Sequence, residues 1–227
     1  MNTATKTVTQ TSTYFHQDIV CLESESISTG ALMSRIFASL HFAFVEITGD
    51  DPVCPIGITF PGYQLFGRQS ERQSDKAERS EQVNLPQIGN SIRLFSVVEG
   101  ELEMLDLARR LLRFREYLAI ETIRSLRRKN YGLALYRRHQ PKSTPERLIR
   151  RRMKRHSESY DVASAHYRSM ITEPTSLPYL DVQSQSTHGR FRLFIEKRLC
   201  EEVSSDKERT WGFSCYGLST NVLLPDF

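Results

Sequence analysis

The chain has little cysteine. Cys21, Cys54, Cys200 and Cys215 are the only four in 227 residues. No two of them form a CxxC pair and no histidine stands at zinc-finger spacing from them, which argues against a structural zinc site. Reduced, mostly buried thiols in a cytoplasmic protein are the expectation. No run of about 18 apolar residues occurs, so no membrane-spanning helix and no membrane partner are expected. The first residues, MNTATKTVTQTST, are polar and carry no apolar segment of signal-peptide type. Nor is there the carboxylate cluster of a two-metal nuclease, and no metal or cofactor is expected. What is present, 39% hydrophobic and 26% charged residues, fits a soluble globular protein with a real core.

The net charge of +4 hides an uneven distribution. From Arg124 to His156 thirteen lysines and arginines face a single acid, Glu146, a local charge of +12 in 33 residues that leaves −8 on the rest. A mildly acidic body with one strongly basic segment points to a polyanion partner, against the plainer reading of a solvated charged helix.

Along the chain, residues 1–12 read as a disordered tail. Tyr14 to Cys21 reads as a strand with Phe15, Ile19 and Cys21 on one face. Ser28-Thr29-Gly30 offers a helix cap ahead of Leu32, Ile36, Leu40 and Phe44, flanked by Met33 and Phe37. Ile56, Ile58 and Phe60 alternate as a strand does. Gly67–Asn84 is polar and reads as a loop inserted in the domain. Ile92–Val97 reads as a strand, followed by a long helical region from Glu101 with Leu102, Leu105 and Leu112 on its apolar stripe. The resulting order, β-α-β-loop-β-α, fits an α+β fold with a ferredoxin-like N-terminal domain over residues 13–128. A boundary is placed near Lys129, and residues 129–227 form a C-terminal α/β domain. There Arg137–Ser143 reads as a linker ahead of Pro141. Thr144-Pro145 starts a helix over 145–156. Arg190–Lys197 and Trp211–Leu218 read as strands.

At about 100° per residue, Arg147, Arg150, Arg151, Lys154 and Arg155 share one arc of about 140° on that helix. Leu148, Ile149, Met153 and His156 lie opposite, facing the domain, with Arg152 as the exception. Five like charges on one face repel one another unless an anion neutralises them, and a phosphate backbone supplies that anion. Such a ridge positions without reading sequence. Arg138 and Gln140 just upstream are suited to guanine and adenine edges, or are ordinary linker residues.

Four blocks then resemble the CRISPR repeat-processing endoribonucleases of type I-F systems. PKSTPERLIRRRMKRH (Pro141–His156) is similar to that family's linker and arginine-rich helix. LPYLDVQSQSTHGRFRLFI (Leu177–Ile195) resembles its catalytic-serine segment, and GFSCYGLS (Gly212–Ser219) its C-terminal signature. LMSRIFASLHFAF (Leu32–Phe44), with IGITFP (Ile56–Pro61) after it, resembles the histidine helix and the following strand. The resemblance implies that His41 is the catalytic histidine, that Ser184 holds the ribose at the cut and that Tyr216 lines the site. It implies that Arg138 and Gln140 read bases at the foot of the stem. Phe191 would stack on the terminal base pair, and Ser186 would lie near the scissile nucleotide. Gln183 departs from the family pattern, which has arginine there; Ile149 and Arg152 exchange character; His188-Gly189 alters the loop before Phe191. Without the family, His41 reads as a core or boundary histidine, Tyr216 and Phe191 as packing residues, and His188 as an exposed loop residue.

The resemblance further implies metal-independent cleavage by the RNA's own 2′-OH, with 2′,3′-cyclic phosphate and 5′-OH ends. The product, a CRISPR repeat stem-loop, would stay bound within a guide-RNA surveillance complex of other subunits, and the free protein would be a monomer. The alternatives are a non-catalytic subunit that caps a guide-RNA hairpin, and a DNA-binding regulator that uses the basic helix.

Overall fold

The computed structural model describes residues 7–8, 13–65, 87–127, 131–141, 144–168, 175–184, 189–200, 209–219 and 221–227. The expectations for the tail, apart from 7–8, and for the 67–84 loop, Ser186 and His188 lie outside them. The strands are β1 (Thr7–Val8), β2 (Thr13–Cys21), β3 (Gly57–Thr59), β4 (Ser91–Ser96), β5 (Leu118–Ile120), β6 (Arg124–Arg127), β7 (Gly132–His139), β8 (Tyr179–Gln183), β9 (Arg190–Cys200), β10 (Arg209–Thr210) and β11 (Leu224–Asp226). The helices are α1 (Thr29–Thr48), α2 (Glu99–Glu103), α3 (Leu107–Arg110), α4 (Pro145–His156) and α5 (Tyr160–Ala165), with a 3-10 turn at Leu112–Phe114. The content is α+β, with antiparallel sheets.

Two compact units result. One comprises residues 1–139 and 177–227, the other 140–176. The expected division near Lys129 differs from this, and packing gives the reason. In the larger unit, β7, β8, β9 and β11 make a second sheet whose inner residues Tyr136, Leu180, Leu193 and Ile195 share one buried cluster with Leu40, Ile58 and Leu94. The chain leaves this unit after His139 and rejoins it at Leu177.

The first sheet runs β3-β4-β2-β5, with β6 also on β2, all antiparallel. α1 starts as its sequence dictates: Ser28 Oγ accepts from the Ala31 amide, capping the first turn. Leu32, Met33, Ile36, Phe37, Leu40, Ala43 and Phe44 are buried. Burial of each large apolar side chain stabilises by roughly 1.5–3 kcal/mol. α1 has the length and average hydropathy of a membrane span, but its apolar stripe is already used in this core.

β2 is buried on both faces, contrary to the one-sided expectation. Ile19 and Cys21 face one way, and Tyr14, His16 and Asp18 are buried on the other, while Phe15 is only half-buried. The polar face is satisfied internally. Arg93 grips Asp18 with both Nε and Nη2, at 2.7 and 2.6 Å, and donates from Nη1 to the Phe227 carbonyl.

The long helix expected from Glu101 is broken. Asp106 adopts a left-handed conformation (φ 43°) between α2 and α3, so the apolar stripe continues as Leu105, Leu107, Leu111 and Phe114, and Leu112 is turned out to solvent. Trp211–Leu218 is a pinned loop. Only Phe213 pairs in bridge fashion, with Cys54, and Gly217 has φ 69°. Arg137–His139 is the end of β7, because β9 lies beside it with Arg137 opposite Glu196, Arg138 opposite Ile195 and His139 opposite Phe194.

In the smaller unit, α4 begins at Thr144 with Pro145 in its first turn. Ile149 is buried, and Leu148 and Met153 are half-buried. α4 ends at Ser157 in a left-handed conformation, and α5 packs back on it. Arg152, the exception on the apolar arc, bonds Glu158 through Nε and Nη2 at 2.7 and 3.0 Å. His156, expected to face inward, is exposed.

Candidate active site and nucleic-acid interface

The site in the larger unit is assembled around the loop 213–219. Its geometry follows from three anchors. The Cys54 amide donates to the Phe213 carbonyl and the Phe213 amide to the Cys54 carbonyl, each at 2.9 Å. The Ile58 amide donates to the Gly217 carbonyl at 2.9 Å, and the Ser219 amide to the Tyr136 carbonyl at 2.9 Å. The loop closes on itself through Gly217 to Ser214 (2.8 Å) and Ser214 to Leu218 (2.9 Å). Gly217 is required twice: its φ is positive, and a Cβ there would lie 2.6 Å from Ile58 Cγ1.

This loop meets α1 at His41. Nδ1 of the half-buried ring lies 2.8 Å from the Cys215 carbonyl oxygen. A carbonyl only accepts, so Nδ1 carries the proton, and in the neutral ring Nε2 is the nitrogen with the lone pair. The imidazole is stacked on Tyr216, with centroids 4.4 Å apart and planes 15° apart; Phe37 is parallel to Tyr216 on the scale of 6.3 Å. Burial pushes the Tyr216 phenol above its ordinary range, Cys215 adds to the rise and Arg138 opposes it. The phenol is therefore neutral near pH 7, a hydrogen-bond donor and acceptor rather than an anion.

Arg138 comes from the end of β7. Its guanidinium carbon is 5.7 Å from the Tyr216 centroid and 5.5 Å from that of Phe191, within the range of cation–π attraction. His41, Tyr216, Arg138 and Phe191, distant in sequence, thus form one continuous set of contacts. Ser184 is half-buried just beyond β8, its amide donating to the Gly189 carbonyl at 2.8 Å. It lies two residues beyond Val182, which is opposite Phe191. Arg137 sits on the other face of β7 and is held by Glu196, as is Arg198. Burial raises the Glu196 carboxyl, but hydrogen bonds from Arg198 and Arg137 outweigh it and hold it low.

Gln140 opens the smaller unit and is exposed. On α4, Arg147, Arg150, Arg151, Lys154 and Arg155 are all exposed, as the helical arc requires, and Glu146 lies in the first turn.

Sequence reasoning missed two contributors. The Cys215 carbonyl is a backbone group and leaves no mark in residue type. Phe37 reads as a core residue from its stripe, which it is, while its ring also backs Tyr216. Gly217 was the available signal for a turn within 211–218.

The family model described as "CRISPR-associated protein (Cas_Csy4)" matches residues 16–227. The chain is 30% identical over 196 residues to a "CRISPR-associated endonuclease Cas6/Csy4" of Pseudomonas aeruginosa (strain UCBPP-PA14), which covers 86% of this chain and 90% of that protein. It is 34% identical over 98 residues to a protein of the same description from Escherichia coli (strain UTI89 / UPEC), over 42% of this chain and 50% of that one. A solved structure described as "An RAMP protein binding different RNA substrates" aligns over 93% of this chain and 99% of that one at 9% identity and a TM-score of 0.33, too weak a likeness to bear on the fold.

Proposed function

This chain belongs to the Csy4 family of CRISPR-associated proteins, and we propose from that premise that it is a hairpin- and sequence-specific endoribonuclease that matures CRISPR repeat RNA. The named activity of its relatives supports the reaction class. The observation that carries the chemistry is the Nδ1 bond of His41 to the Cys215 carbonyl, which makes Nε2 the nitrogen with the lone pair in the neutral ring.

In this reading Nε2 of His41 takes the proton of the 2′-OH. The 2′ oxygen attacks the adjacent phosphorus, the bond to the 5′ oxygen breaks, and that oxygen takes up a proton. The ends are a 2′,3′-cyclic phosphate and a 5′-OH. No step calls on a metal. Ser184, beside the hairpin that carries Phe191, pins the ribose for in-line attack. Tyr216 holds the imidazole plane by stacking. Phe191 caps the stem, and Arg138, against Phe191 and Tyr216, offers its guanidinium edge to a guanine, with Gln140 reading an adenine. Ser186 completes the contacts near the cut. The exposed cations of α4 take the stem phosphates.

The stem is intact in the product, so these contacts survive cleavage and the protein stays on the guide RNA as a subunit of a type I-F surveillance complex. It is a monomer when free and cytoplasmic. We read residues 13–128 as a ferredoxin-like fold; the order β3-β4-β2-β5, with α1 and α2–α3 in the two crossovers, supports it.

The test is incubation with its own repeat RNA in EDTA, followed by analysis of the ends. Cleavage at one site with a cyclic phosphate is the expected result. Cleavage of a repeat with 2′-deoxyribose at that site would overturn the nucleophile, and binding without cleavage at any pH from about 6 to 9 would leave the hairpin-capping alternative.

A further inference from the structure

We propose that Ser34 is a positioning residue for this reaction: it sets the height of the Ser184 strand against the His41 helix. The inference rests on the proposed function and concerns the same site. Among the described residues β8 is an edge strand, paired with β9. The Ser184 amide donates to Gly189 and the Ile195 amide to the Pro178 carbonyl. Together with the register Val182 opposite Phe191 and Leu180 opposite Leu193, these bonds place the even residues of β8 in the hydrogen-bonded pairs. The amides of the odd residues then point away from β9. That of Asp181 donates to Ser34 Oγ of α1 at 3.1 Å. The buried Leu180 and Val182 fix the register of β8 on β9, so what the Ser34 bond sets is the level of this strand pair against α1.

The tie joins the two elements from which the site is built. Ser34 and His41 are seven residues apart on one helical stripe, about 10.5 Å along the axis. Asp181 and Ser184 are three residues apart on an extended strand, about 10 Å. Phe191, opposite Val182, touches Arg138, which lies against Tyr216, which stacks on His41. The Ser34 bond thus joins the helix of the base to the strand that leads into the ribose-holding serine. Loss of the tie lets the β8–β9 pair shift slightly against α1, and in-line attack is sensitive to displacements of about 1 Å.

Ser34→Ala should slow single-turnover cleavage on the order of 10-fold or more while hairpin affinity changes less than about 2-fold and the pH profile keeps its shape. The Asp181 amide should exchange with solvent faster. Ser34→Thr, which keeps the hydroxyl, should recover most of the rate. Asp181→Pro removes the donor from an edge position that tolerates proline and should reproduce the defect, and the Ser34→Ala/Asp181→Pro double variant should be no slower than either single one. A wild type that cleaves beside a Ser34→Ala variant of equal rate overturns this inference alone. Losses of affinity that match the losses of rate, or unfolding of both single variants, also overturn it by making Ser34 merely structural. A wild type that binds but does not cleave removes the proposed function, and this inference falls with it.

Discussion

Replacing Gly217 with alanine should be costly out of proportion to one methyl group. The residue has φ 69°, and forcing an L side chain into that region costs about 1–2 kcal/mol. The new Cβ would lie 2.6 Å from Ile58 Cγ1 and 3.1 Å from Phe44 Cε2, both on buried side chains that cannot swing into solvent. Overpacking of this kind adds about 1–3 kcal/mol. The sum, about 2–5 kcal/mol, would lower the melting temperature of a chain this size on the order of 5–15 °C. The loop also carries the carbonyl that binds His41 Nδ1 and the ring stacked on it, so cleavage of repeat RNA should fall at temperatures where the variant is still folded. The control is Gly30→Ala in the first turn of α1, where a Cβ would meet nothing within 4 Å. That change should be neutral or stabilising by up to about 1 kcal/mol. Urea titrations of the three proteins give the comparison. A Gly217→Ala variant within about 0.5 kcal/mol of wild type would refute the conformational and packing argument together.

Acid stability should depend on the buried Asp18–Arg93 pair. Burial raises the Asp18 carboxyl, but bonds from His16 and Arg93 outweigh it and hold it at about 2 against an ordinary 3.8. A depressed folded value means that this stabilisation is complete above about pH 4 and is lost as the pH falls toward 2, an effect of about 2 kcal/mol. Arg93→Ala should destabilise by roughly 3–5 kcal/mol at neutral pH and flatten that acid step, as read by denaturation at several pH values; an unchanged step would contradict the assignment. Arg151→Ala on α4 should weaken binding to all stems and reduce the slope of log affinity against log salt by about one unit. Arg138→Ala should cost about 1–3 kcal/mol on the cognate stem and little on one with the guanine replaced; equal losses on both would remove it as a base reader.

What was legible in the sequence was what a single element determines. α1 announced itself through the Ser28 cap and the stripe Leu32, Ile36, Leu40, Phe44, all buried. The ridge of α4 followed from spacing alone, and its five cations are exposed. What was not legible depended on partners. Arg137–His139 reads as a linker because it is basic and precedes Pro141; only β9, some 55 residues on, makes it a strand and gives Arg138 a fixed base. Trp211–Leu218 alternates like a strand, yet Gly217 turns it and Cys54, Ile58 and Tyr136 pin it. The helix expected from Glu101 had the right apolar residues but not the break at Asp106. His41 is half-buried, as a boundary histidine would be, and its role came from the family resemblance. What the fold adds is the Cys215 carbonyl that selects its tautomer, a contact between backbone and side chain across 174 positions.

The most direct measurement of the central claim is single-turnover cleavage by His41→Ala on repeat RNA in EDTA, with hairpin affinity measured in parallel. Removal of a general base that does not bind the stem should lower the rate on the order of 10²–10⁴-fold and leave affinity nearly unchanged. A variant that cleaves as fast as wild type would contradict the account.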